Sequence, residues 1–166
     1  VITPETYSRA RQIGAEKIAG FEGFSPRAYP DPPGQEILHS IGYGHQIVPG
    51  DGLSKDSVLE ESAAMDLLLK DLEEKASAVD AAVKVDLNEN QLAALYSFTY
   101  NVGTGAFRSS TMLKLINEGN LEGASYQFDN WVYVDHTVST ALKGRRDSEE
   151  ALFNSPITDN PENFNA

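Results

Sequence analysis

Residues 24–52 set the strongest limit on how this chain can fold. That stretch holds prolines at 26, 30, 32, 33 and 49 and glycines at 34, 42, 44, 50 and 52. Such a density of residues that break or weaken helices excludes a long helix there. Within it Ile37, His39, Ile41 and Tyr43 alternate with Leu38, Ser40 and Gly42, the two-residue period of a strand. A small β region is therefore expected, inserted into a chain whose other segments repeat with helical period.

Residues 3–22 read as a helix capped by Thr3, with Pro4 in the first turn where a missing amide hydrogen costs nothing, and it should stop near Gly23. Helical period resumes after residue 52. Ser57 and Glu60 have the spacing of a capping box, and Leu68, Leu72 and Val79 form an apolar stripe on a long helix running to about residue 80. Asn88 caps the next helix, whose Leu92, Leu95, Tyr96 and Thr99 share a face and which Asn101 and Gly103 end. A short helix is expected over 109–118. Another should begin at Asn120 with Ala124, Phe128, Trp131 and Val132 on one stripe, and a last one over 141–153 should contain Leu142 and Leu152. The class is α+β, with many helices and one small sheet.

A chain of 166 residues buries about two thirds of its unfolded surface, enough for a core without covalent staples. There is no cysteine, which removes disulfides and thiolate metal sites and suits either redox environment. No run approaches the roughly 18–20 apolar residues of a membrane span, and there is no basic start followed by an apolar middle. The first residue is Val, as in a processed product or a piece of a longer protein. Thirteen basic residues stand against 25 acidic ones, a net charge of -12. That balance excludes a typical nucleic-acid binder, which needs clustered Lys and Arg to neutralise phosphates.

Two carboxylates stand out by position. Glu22 falls at the end of the first helix and Asp31 follows nine residues later, after a proline-rich connection. Hydrolysis of a glycosidic bond needs one carboxyl to protonate the leaving oxygen and a second to activate water or stabilise the oxocarbenium-like sugar. The C-terminus of a helix disfavours a nearby anion, as does an apolar surround, which suits Glu22 to the protonated role. Asp31 lies among turn residues with free backbone groups, which suits an ionised one. Composition alone allows a plainer reading, in which Glu22 is a solvated helix-end charge and Asp31 a turn former in Asp31-Pro32-Pro33-Gly34.

The residues around the pair carry further information. Glu22-Gly23, Ala28-Tyr29-Pro30-Asp31 and Ser40-Ile41-Gly42-Tyr43-Gly44-His45 resemble the opening of the phage-type lysozymes, the group of T4 lysozyme and many phage endolysins. The likeness continues through Leu87-Asn88, Gln91 to Leu95, Asn101-Val102-Gly103, Gly105-Ala106-Phe107, Trp131-Val132-Tyr133 and Gly144-Arg145-Arg146 with Glu149. It covers about nine tenths of the chain in the family's order.

The resemblance implies a lysozyme-like catalytic domain over 1–154 and a polar tail over 155–166. Its β lobe would span about 24–52 and its larger helical lobe about 80–154, with a long helix joining them. It implies a muramidase cutting between N-acetylmuramic acid and N-acetylglucosamine in peptidoglycan, with no cofactor and no metal. Such an enzyme is expected to act as a monomer at the host periplasm or wall, free or within a virion. The family's catalytic Glu, Asp and Thr correspond to Glu22, Asp31 and Ser40. Two departures accompany this match. Ser replaces Thr, and it stands nine residues after the Asp rather than the family's frequent six, so the extra residues should enlarge the turn at Pro32, Pro33 and Gly34.

His45 with His39 and Asp31 matches no zinc spacing; His45 is expected instead to order the β lobe, its ring offering both donor and acceptor. The resemblance places a basic residue from Lys143, Arg145 and Arg146 behind Glu22, without saying which. Tyr43 and Tyr133 are candidates for the cleft wall, and Trp131 for the core. A module that grips cell wall without cutting it, as a structural part of a virion, is the alternative of another class; the presence of both Glu22 and Asp31 speaks against it.

Overall fold

The computed structural model describes residues 1–35 and 37–157; the tail expected over 155–166 lies outside the described residues from position 158 onward. The fold is α+β. The chain runs through α1 (Pro4–Glu22), β1 (Ser25–Pro30), β2 (His39–Gly42), β3 (His45–Gln46), α2 (Glu61–Ala82), α3 (Glu89–Val102), α4 (Thr104–Arg108), α5 (Thr111–Asn117) and α6 (Leu121–Tyr126). A 3₁₀ turn over Gln127–Asn130, the short strands β4 (Tyr133–Val134) and β5 (Thr137–Val138), and α7 (Thr140–Phe153) complete it. No helix among the described residues is long and apolar enough to cross a membrane.

The centre is α3. Every residue from Leu92 to Thr99 is buried, as a helix must be when neighbours cover it on all sides. The caps are those expected, since Asn88 and Gln91 form a reciprocal capping box and Gly103 closes the far end. Helix α1 lies against α3 at Gly14, where an added β-carbon would come within 3.3 Å of Tyr96 Cβ. The absent side chain lets the two backbones approach. Leu68, Leu72, Ala76 and Val79 of α2 bury the expected stripe, and Phe98, Phe107, Phe128 and Phe153 join α3, α4, the 3₁₀ turn and α7 in one aromatic core.

The small sheet has the order β1-β2-β3, antiparallel throughout. Tyr29 pairs with Ser40 and Pro30 with His39, while the register shifts between Ser25 and Tyr29. Strand β1 tolerates Pro26 and Pro30 because it is an edge strand. The Asp31 amide donates to the Leu38 carbonyl at 3.0 Å, so the enlarged turn closes as a loop and leaves Ser40 beside Asp31.

Several expectations give way to packing. The strand is shorter than the alternation over 37–43 suggested: Ile37 and Leu38 lie in the loop and are exposed. Ser57 does not cap α2; its hydroxyl accepts the Ser54 amide in a separate turn, and the helix begins at Glu61 with no side-chain cap. The stripe drawn through Trp131 and Val132 is not one helix. The helix ends at Tyr126, tightens into the 3₁₀ turn, and reverses through a hairpin whose two tip residues, Asp135 and His136, both have positive φ. Trp131 is partly buried, packed edge-on against Phe98 at 5.4 Å.

Candidate active site

Helix α1 ends at Glu22, and Gly23 with φ 72° turns the chain out toward the sheet. The Glu22 side chain is 34% exposed. Its Oε1 lies 3.6 Å from a terminal nitrogen of Arg145, while its Oε2 sits over Gly44, in the turn between β2 and β3. Gly44 has φ +81°, and a β-carbon there would come within 3.1 Å of Oε2. Glycine is needed both for the backbone conformation and for the space. The carboxyl therefore has one oxygen toward a cation and the other toward the turn at Gly44.

Asp31 is exposed at the start of the β1–β2 loop. Its Oδ2 accepts a hydrogen bond from Ser40 Oγ at 3.0 Å, and Ser40 is itself 2% exposed. The hydroxyl is thus held by the sheet while the carboxylate it serves faces solvent. The Tyr29 hydroxyl connects the two carboxylates electrostatically: burial first, then the charges of Asp31 and Glu22, push it up from its ordinary value.

Of the three basic candidates in α7, the structure brings Arg145 to Glu22. Its guanidinium is 8% exposed, stacks over the Phe21 ring at 4.6 Å and donates to the Ser97 carbonyl at 3.1 Å. Arg146 turns the other way, bonding the Trp131 carbonyl at 3.1 Å, Asn101 Oδ1 and Glu149. Lys143 is exposed and pairs with Asp147 at 3.1 Å, away from the site. The helix expected over 141–153 is α7; its buried face is Arg145, Arg146, Glu149 and Phe153, with Leu152 packed in part against the core.

His45 ties β3 to α2. Nδ1 lies 2.6 Å from Asp71 of α2 and Nε2 lies 3.0 Å from Asp51 of the loop after β3. Burial lowers the proton affinity of the imidazole, but the bonds to Asp51 and Asp71 outweigh it and the net direction is up. The same contact, with the Val48 and Leu53 amides, holds Asp51 down to about 2. Tyr43 is 7% exposed, belongs to the buried core, and spends its hydroxyl on Glu61 at 2.8 Å. It offers almost no face to a cleft. Tyr133 is 58% exposed on the β4–β5 hairpin.

Sequence gave no role to Tyr29, Tyr100, Asp51, Asp71 or Ser97, all of which meet the site or its supports. Tyr100 is pushed up to about 12, by burial and then by Asp71 and Glu22. The signal that could have found Glu149 is its spacing, four residues after Arg145 and three after Arg146 on one helix.

The geometry can be compared with known proteins. A model of the phage lysozyme family matches residues 19–149. The chain is 41% identical over 144 residues to an endolysin of Bacillus phage PZA, aligned over 87% of this chain and 54% of that protein. It thus spans about half the length of the Bacillus phage endolysins it resembles. Among solved structures, an endolysin from Escherichia coli O157:H7 phage FAHEc1 superposes with a TM-score of 0.77 at 32% identity, covering 89% of this chain and 94% of that one. The muramidase domain of SpmX from Asticaccaulis excentricus gives 0.74 at 32% identity, covering 94% and 99%.

Proposed function

This chain belongs to the phage lysozyme family, and from that premise we propose that it hydrolyses the β-1,4 bond between N-acetylmuramic acid and N-acetylglucosamine in peptidoglycan. Glu22 is the general acid. With Oε1 turned to Arg145, Oε2 over the Gly44 turn is the oxygen that carries the proton to the leaving glycosidic oxygen. Asp31 is the base, taking a proton from the water that attacks the anomeric carbon.

The hydrogen bond from Ser40 to Asp31 is the observation that carries this reading. It occupies Oδ2 and leaves Oδ1 for the water. The Ser40 oxygen keeps lone pairs that can accept that water's second hydrogen. One hydroxyl can so orient both base and nucleophile, the kind of placement that turns a loose encounter into a reactive one. Direct attack by water on the face opposite the leaving group inverts the anomeric centre and calls for carboxyls roughly 6.5–9.5 Å apart.

The test is product analysis. Digestion of purified peptidoglycan should release new reducing ends that borohydride converts to the alditol of N-acetylmuramic acid, with the α anomer appearing first in the NMR spectrum. Free amino groups from cut peptides, or anhydro ends without uptake of water, would overturn the assignment. An initial β anomer would retain the bond but replace the inverting course.

A further inference from the structure

Glu149 is completely buried in α7, yet it is a carboxylate. Its Oε2 accepts the Ser97 hydroxyl at 2.6 Å and lies 3.5 Å from Arg145 Nε, while Oε1 pairs with Arg146. Such a cluster is a poor investment in stability, since well-packed apolar residues of similar volume serve as well or better. Its place in the molecule suggests another use.

We propose that Glu149 is a positioning residue for glycan hydrolysis, fixing from the core both the place of the Arg145 guanidinium and the net charge presented to Glu22. The inference rests on the reading of Glu22 as the acid. Ser97 is the common anchor, since its carbonyl receives Arg145 and its hydroxyl serves Glu149. Phe21 supports the guanidinium from the α1 side, and Phe98 supports that of Arg146 at 4.9 Å. Arg145 Nε has no hydrogen-bond partner among the described residues, so the Glu149 charge is what holds that edge.

Two guanidiniums and one carboxylate leave a single positive charge behind Glu22. Without the carboxylate there would be two, and the proton Glu22 must deliver would be held less firmly. Burial pushes the Glu149 carboxyl up, while Arg146, the Ser97 hydroxyl and Arg145 oppose it. The remaining groups that bear on Glu22 lie on other elements and are untouched by a change at Glu149. They are Tyr29 from the sheet and Tyr100 from α3, on which Asp31 and, with its partner His45, Asp71 act in turn.

A purely structural Glu149 would alter how much enzyme is folded, and with it the height of the rate profile but not its position on the pH axis. Glu149→Gln keeps the shape and an acceptor for Ser97 while removing the charge. Its alkaline limb in kcat/KM should move to lower pH by at least about half a unit, with KM within about twofold of wild type. A limb in the wild-type position, with only the amplitude reduced, overturns the proposal.

Carboxyl-carbon NMR of the ¹³C-glutamate-labelled wild type decides the matter if that variant does not fold. Glu149 should remain ionised through the whole transition of Glu22, and a proton taken up by Glu149 at or above that pH overturns the proposal. Activity surviving in Glu22→Gln would instead sink the acid assignment, a distinct outcome from an unmoved limb.

Discussion

The carboxylate of Glu22 rests against Gly44, with Oε2 only 3.1 Å from where a β-carbon at residue 44 would stand. The last residue of α1 and a turn of the sheet are thus fitted to one another at the point where the reaction is proposed to start.

Gly44→Ala should therefore harm activity beyond its effect on stability. The positive φ alone costs roughly 1–2 kcal/mol for a residue with a side chain. Gly50→Ala is the control, because Gly50 has φ +90° with open space around it. The two variants should lose similar stability in denaturant titrations, while Gly44→Ala should lose at least about tenfold more lytic activity. Equal activity losses would mean that the contact with Glu22 is irrelevant.

His45 predicts a pH dependence of stability with a definite sign. Its folded-state proton affinity is raised above the ordinary value of 6.5. Its contribution is fully present below that pH and fades as the pH rises through the folded value. Asp51 acts at the other end: held down to about 2 from 3.8, it contributes above the ordinary value and loses that as pH falls toward 2. His45→Gln should lie below wild type at pH 5 and approach it as the pH rises above 6.5. A difference between the two that stays constant from pH 5 to 9 in urea titrations would contradict the clamp.

What sequence made legible was mostly local. Thr3 with Pro4, and Asn88, announce helix starts because the cap bonds span three residues and need no tertiary partner. Trp131 and Val132 fell on a helical stripe, yet the chain reverses beyond them at Asp135 and His136, neither of which is the glycine such a tip would advertise. Which of Lys143, Arg145 and Arg146 turns inward was not legible, because nothing in that run shows that Ser97 and Asn101 wait across the interface to receive it. Glu22 and Asp31 stood out by position and Ser40 by resemblance to a family pattern; the loop that brings Ser40 back to Asp31 is closed by a backbone bond no side chain records.

Ser40→Ala should lower kcat by about 10- to 100-fold with little change in KM. A hydrogen bond to a charged group is worth about 1.5–3 kcal/mol, and here it would be lost where charge moves in the transition state. Steady-state kinetics on soluble peptidoglycan fragments would check this. An unaltered kcat would remove Ser40 from the mechanism.

The net charge of -12 should make wall encounter improve with salt. Arg145 and Arg146 are buried and Lys143 is paired with Asp147, so this segment supplies no basic rim to offset it. Between about 0.01 and 0.15 M ionic strength the screening length falls from roughly 30 to 8 Å, and repulsion from an anionic wall weakens with it. Initial lysis rates on outer-membrane-stripped cells should rise over that range. A steady fall from the lowest salt would show that local attraction governs the encounter.

Glu22→Gln tests the central claim most directly, measured as the rate of new reducing-end release from purified peptidoglycan beside wild type, with thermal unfolding of both. Glutamine keeps the shape and has no carboxylic proton to give, so the rate should fall by about 10²- to 10⁴-fold while the variant unfolds as a folded protein does. A folded variant that retains more than about a tenth of the wild-type rate would contradict Glu22 as the acid, and with it the account of Arg145, Gly44 and Glu149 as its setting.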